Sequence, residues 1–241
     1  MLGVAVAAAG CSQPAASQVV RKDRLYRAGV IGRASTAFWA GYDFAAAGVT
    51  GVRAEWIEPS VSGVARSAEY LWVGIGPANG ASVVQTGTYV LFPGGRYEER
   101  GSWYERYPLE RGITSGLKED SGDAIAAALT LLPGAARRWH LTVRDVTTRA
   151  TWSKTLAYKI AGNRAYFIVE DPAVNMSGTL APFATWGQVL FSHMEVRVGE
   201  RWRPAGELRG SRIDMDQQDR AVATAGPLLA KGTSFVATQL F

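Results

Sequence analysis

Short apolar runs with a period of two, each closed by a cluster of turn residues, recur from residue 34 to the end of the chain. Such alternation marks a strand with one buried face, because successive side chains point to opposite sides of the pleat. On this pattern strands are expected over 38–44, 49–56, 69–75, 81–92, 96–107, 125–132, 139–145, 151–160, 165–170, 188–198 and 234–240. Between them stand Pro77-Ala78-Asn79-Gly80, Pro93-Gly94-Gly95, Ser121-Gly122-Asp123, Pro133-Gly134 and Gly162-Asn163, the residue types that turns demand. Segment 124–132 alone could pass as a helix, and its flanking turns favour a strand. Many short strands with no long amphipathic helix argue an all-β sandwich or barrel.

Two of these strands each carry one polar residue that fits badly. Gln85 follows Val83-Val84, and Glu170 follows Phe167-Ile168-Val169. An amide or a carboxylate in an apolar strand costs free energy unless it is exposed, partnered or used. Alternation puts Tyr166, Ile168 and Glu170 on one face of their strand, and Val83, Gln85, Gly87 and Tyr89 on one face of theirs. If those faces are neighbours, the two polar groups converge, with Gly87 leaving space beside them.

Composition narrows the classes. A chain of 241 residues, 47% hydrophobic, can bury a large core as one domain, and it shows no internal repeat. The net charge of +5 comes from scattered basic residues with no stripe of interleaved aromatics, which argues against a nucleic-acid partner. One cysteine forbids an internal disulfide, and with only two histidines, His140 and His193, neither a metal site nor a Cys-His nucleophile is expected. No cofactor is expected.

The cysteine sits at the end of MLGVAVAAAGCS, an apolar, small-residue run that resembles a bacterial lipoprotein signal. In that reading residues 1–11 form the signal and Cys11 is the lipidation site, although no basic segment precedes the run and Ala8 stands where leucine is usual. Residues 12–33, rich in Pro, Ala, Ser, Gln and Arg, read as a linker or short pro-segment, and 34–241 as the folded domain. The expected setting is extracytoplasmic, as a monomer that is secreted or tethered to a membrane through Cys11.

The motifs resemble a specific family. WVGIG, then VVQTG, SWYERYP and FIVEDP are similar to the WVGIDG, LQTG, WYEWYP and EWIVED pattern of the glutamic peptidases, or eqolisins, in a bacterial-type member. FWAGYDF, RAEWIEP, SGDAI and WGQVLF extend the likeness in the right order over roughly residues 35 to 238. The resemblance implies a concanavalin-like antiparallel β-sandwich (jelly roll) of two large sheets whose concave face holds a polypeptide substrate. It makes Gln85 and Glu170 the catalytic dyad. Glu170 would take a proton from the attacking water and return it to the leaving amine, while Gln85 orients the water and donates to the oxyanion. Trp39, Trp103, Glu105 and Tyr166 would line the substrate cleft, Glu105 as a supporting partner or a surface charge rather than a catalyst. The resemblance also implies an acid optimum.

The chain departs from the pattern where acids are usual: Gly76 in WVGIG, Tyr89 after QTG and Tyr166 in the last motif; Arg106 replaces the second tryptophan of WYEWYP. Fewer acids around Glu170 point to a less acidic optimum or weaker activity. Two other readings stay open: a non-catalytic sandwich that binds protein or carbohydrate on its concave face, and a glycoside hydrolase using Glu105 and Glu170 as its two carboxylates.

Overall fold

A computed structural model describes residues 30–95, 98–134, 136–172 and 179–240. Cys11 and the signal-like segment lie outside them, as do residues 12–29 of the stretch read as linker. The first strand, β1 (Val30–Thr36), opens inside the last residues of that stretch.

The fold is built almost entirely of strands. After β1 come β2 (Trp39–Ala45), β3 (Val49–Ile57), β4 (Ala68–Gly76), β5 (Val83–Leu91), β6 (Glu99–Tyr107), β7 (Glu110–Thr114) and β8 (Ala124–Leu131). They are followed by β9 (Arg138–Asp145), β10 (Thr151–Ala157), β11 (Arg164–Glu170), β12 (Gln188–Val198), β13 (Arg201–Pro204), β14 (Arg209–Gln217), β15 (Arg220–Ala225) and β16 (Phe235–Gln239). Segment 124–132 is a strand, as its flanking turns predict. Five strands escape the sequence pattern: β1, β7, β13, β14 and β15.

Hydrogen bonds join the strands in the order β10-β9-β8-β3-β12-β16-β15-β14-β2-β11-β4-β5-β6-β7, with β1 beside β14 and β13 beside β12. All these pairings are antiparallel except β1 with β14, which is parallel. The ladder turns over at β15 and β14, so that β3 and β8 pack against β4, β5 and β11. Two layers result, as expected of a sandwich, but their hydrogen bonding is continuous.

Alternation then sorts the side chains. Leu71, Val73 and Ile75 of β4 and Ala165, Phe167 and Val169 of β11 fill the space between the layers with Trp56, Trp139, Phe191 and Phe235. The opposite face of the same strands carries a second, smaller cluster: Trp72, Val83, Tyr89, Trp103, Tyr166, Ile168 and Ile213, edged by Trp39 and Tyr70. A strand apolar on both faces is normally covered on both. Here the second face is covered by its own aromatic rings, and the polar residues Gln85, Glu105 and Glu170 rise among them.

Between the layers, at one edge, lies a cluster of buried charge. Glu58, Glu69 and Glu119 are each under 5% exposed and share one cation, Arg100, whose Nη1 is 3.9 Å from Glu58 and 3.7 Å from Glu119. Trp56 Nε1 and Thr88 Oγ1 donate to Glu58, whereas both carboxylate oxygens of Glu69 and Glu119 lack a hydrogen-bond partner.

Candidate active site

The aromatic face holds a cleft of about 440 Å³ lined by Phe38, Trp39, Tyr70, Gly80, Val83, Gln85, Trp103, Glu105, Tyr107, Arg111, Gly112, Glu170 and Pro172. Both residues singled out from the sequence face it. Their common placement follows from register: Glu170 pairs with Tyr70 and Gln85 pairs with Gly74, on opposite sides of β4. Residues 70 and 74 are separated by an even number of positions, so both partners emerge on one face.

The two are not hydrogen-bonded to each other. Glu170, half-buried at the end of β11, accepts from Trp72 Nε1 at 2.6 Å. Gln85, 4% exposed, donates through Nε2 to Glu105, its register partner on β6. Its Oε1 has no partner. The amide is thereby fixed in orientation, with its carbonyl oxygen and second N–H uncommitted among the described residues.

Electrostatics follow from this crowding. Burial, reinforced by the nearby Glu105, pushes the pKa of Glu170 up to about 8 against the opposing pull of the Trp72 and Trp39 indoles. Burial also raises Glu105, which the Gln85 amide, the Gly112 N–H and the Arg111 charge partly offset. Two carboxylates that face one cleft do not ionise independently, so their protons belong to the pair.

The walls are positioned locally. Thr36 Oγ1 accepts from the Trp39 N–H at 2.7 Å, which closes the β1–β2 turn and sets Trp39 at the rim. Trp39 meets Trp72 edge-on at 5.3 Å and Tyr166 at 5.9 Å between ring centroids. Trp103 lines the cleft with its Nε1 committed to the Thr88 carbonyl at 3.0 Å and its ring edge-on to Tyr70 at 4.8 Å.

The remaining expectations fare differently. Tyr166 does not line the cleft: it is 2% exposed, donates to the Pro77 carbonyl and supports Trp39 from behind. Glu105 lines the cleft and holds the Gln85 amide. The space beside Gln85 comes from Gly74, where a Cβ would stand 2.9 Å from the Trp72 ring and 3.2 Å from Gln85 Cβ. Gly87 instead permits close backbone approach, since a Cβ there would fall 1.8 Å from the Leu71 carbonyl oxygen. His140 and His193 lie on β9 and β12 of the other layer, bonded to Thr155 and Glu55.

Sequence reasoning missed Trp72, Tyr70 and Arg111. Trp72 was findable, because alternation in β4 puts it on the face of Gly74, between the two polar residues. Arg111 was not, because β7 is too short and polar to show a period.

Comparison with known proteins agrees with this architecture. Residues 37–236 match the Peptidase A4 family. Scytalidopepsin B of Scytalidium lignicola is 30% identical over 141 residues, and the match spans 55% of this chain and 52%, about half, of that relative. Among solved structures, scytalido-glutamic peptidase with a transition state analog inhibitor superposes with a TM-score of 0.71 at 23% identity, over 85% of this chain and 98% of that one. Aspergilloglutamic peptidase from Aspergillus niger superposes with a TM-score of 0.57 at 23% identity, over 72% and 99% of the two chains. The sandwich is that of the glutamic peptidases, and the family match covers every strand that lines the cleft. The chain belongs to the Peptidase A4 family, the eqolisins of the motif comparison.

Proposed function

We propose that the protein is a glutamic endopeptidase in which Glu170 and Gln85 activate a water molecule on the peptide bond. One observation carries this: both side chains open onto one aromatic-walled cleft, the carboxylate held by an indole and the amide held by a second carboxylate. Ionised Glu170 removes a proton from the water as it attacks the carbonyl carbon. The uncommitted N–H of Gln85 donates to the developing oxyanion. The protonated Glu170 then passes its proton to the amine as the C–N bond breaks. The amide pays little reorganisation because Glu105 already fixes it, which is the condition for effective oxyanion stabilisation.

The reading includes an optimum on the acid side of neutrality, a monomeric enzyme, and a polypeptide substrate; scytalido-glutamic peptidase has been solved with a peptide based transition state analog. It also includes export and a tether through Cys11, which lies outside the described residues. Glu105 faces the cleft, so the carboxylate pair that a glycosidase requires is present. Its commitment to the Gln85 amide and the family membership weigh against that chemistry.

The test is cleavage of a denatured protein between about pH 2 and 8, a range that reaches the pKa of Glu170, with Glu170→Gln and Gln85→Ala as controls. Loss of about 10²-fold or more in either variant is expected. Wild-type activity no greater than that of the variants leaves a binding module.

A further inference from the structure

One charge in the cleft has no part in the proposed chemistry. Arg111, on β7, stands on the wall formed by β6 and β7, across β4 and β5 from Trp39 and Glu170. It is the one cation lining the cleft among the described residues, and its side chain is exposed. It makes no ion pair within the described residues: its neighbour Glu110 is taken by Arg106 at 2.7 Å, and Glu105 by Gln85 and the Gly112 N–H. Its guanidinium lies 5.5 Å from the centre of the Tyr107 ring, which lines the same wall. That cation–π contact confines a flexible side chain, so less freedom is lost when it binds. A planar guanidinium with free N–H groups is built to receive a carboxylate in a two-pronged contact.

We propose that Arg111 is a specificity determinant that receives a carboxylate of the substrate, so that the cleft prefers polypeptides carrying an acidic side chain or a free C-terminus on the β7 side of the scissile bond. The proposal rests on the peptidase reading of the cleft and adds the substrate class to it. The other walls are aromatic or apolar and take uncharged residues; this one is charged. Glu105 attracts Arg111 from the same wall, but no ion pair joins the two among the described residues, so the guanidinium keeps its donors for a substrate carboxylate.

The experiment uses matched fluorogenic peptides that carry Glu or Gln at each of three positions on either side of the cleaved bond, with free or amidated C-termini. The readout is the Glu-to-Gln ratio of kcat/KM at pH 6. At one position the wild type is expected to favour Glu by about two- to fivefold, the upper range of an exposed ion pair. Arg111→Gln brings that ratio to about one, and Arg111→Glu inverts it. At pH 3 the wild-type preference disappears, since a substrate glutamate with a pKa of about 4.3 is then protonated. A preference that follows the free C-terminus assigns the bound carboxylate to the chain end. Equal ratios in wild type and Arg111→Gln overturn the proposal. Binding of the same peptides to Glu170→Gln protein, by fluorescence anisotropy, decides Arg111 even if no peptide is cleaved, an outcome that removes the peptidase reading alone.

Discussion

The Trp72 indole donates to the Glu170 carboxylate at 2.6 Å from β4, the strand that separates Glu170 from Gln85. Trp72 therefore does two things: it packs, fully buried, on the strand between the two polar groups and it favours the ionised form of Glu170. A hydrogen bond to a charged group contributes about 1.5–3 kcal/mol.

Trp72→Phe keeps most of the ring and removes the donor. The pKa of Glu170 then rises above its value of about 8, and the ionised fraction at lower pH falls. At pH 5, kcat/KM is expected to drop by roughly 10- to 100-fold, and the acid limb of the pH–rate profile to move to higher pH. A profile that shifts toward lower pH contradicts the role assigned to the indole.

Glu105→Gln acts in the opposite direction. The like charge of Glu105 raises Glu170, so its removal lowers the pKa of Glu170 and moves the acid limb to lower pH. The substituted amide still offers an oxygen to Gln85 Nε2, which keeps Gln85 oriented. Activity at acid pH is expected to survive, measured as kcat/KM from pH 3 to 7. Complete loss would instead make Glu105 one of the two acids of the reaction.

Stability carries its own pH dependence. Burial holds Glu58, Glu69 and Glu119 above the ordinary carboxylate value of 4.5, and their mutual repulsion adds to it for Glu69 and Glu119. The folded state thus binds more protons than the unfolded chain once pH passes 4.5. Their contribution is fully present below that pH and is lost as pH climbs toward and beyond neutrality. Melting temperatures should fall from pH 4 to pH 8, by about 3–5 °C for each pK unit involved, and Glu69→Gln should flatten the decline. Glu170 ionises as pH rises while these carboxylates favour lower pH, so kcat/KM and melting temperature are expected to change in opposite directions between pH 5 and pH 8.

Asp171, next to Glu170 in sequence, points the other way. It is fully buried and accepts from Gln217 Nε2 at 2.7 Å, and the same amide donates to the Ala37 carbonyl at 3.0 Å. Gln217 thereby clips the end of β11 to the turn that carries Trp39. Burial raises Asp171 to about 6, and the Gln217 bond opposes that rise. Gln217→Ala leaves a buried carboxylate without its donor and is expected to destabilise the protein by about 1–3 kcal/mol in urea unfolding, more at pH 7 than at pH 4.

The family acids missing from this chain are answered in part by geometry. Tyr166, in place of an acid, is buried behind Trp39, and Tyr89 donates to Glu99 at 3.2 Å away from the dyad. What remains near Glu170 is Glu105, with a smaller contribution from Asp171, and both raise it further.

The chain itself determined the strands that have a buried face, because a period of two with turn residues between is a local property. It also determined that Gln85 and Glu170 each share a face with known neighbours, because alternation needs no tertiary information. The polar strands β7, β13 and β14 carry too few apolar positions to show a period, and β15, RAVATA, is mostly small apolar residues without alternation; they exist because an adjacent strand supplies hydrogen-bond partners. Only the ladder order decided that β4 lies between the two polar groups, that Trp72 reaches Glu170 and that Arg111 stands on the far wall. Those relations join residues distant in sequence through register, and register is fixed by packing across the whole sandwich, which no single segment contains.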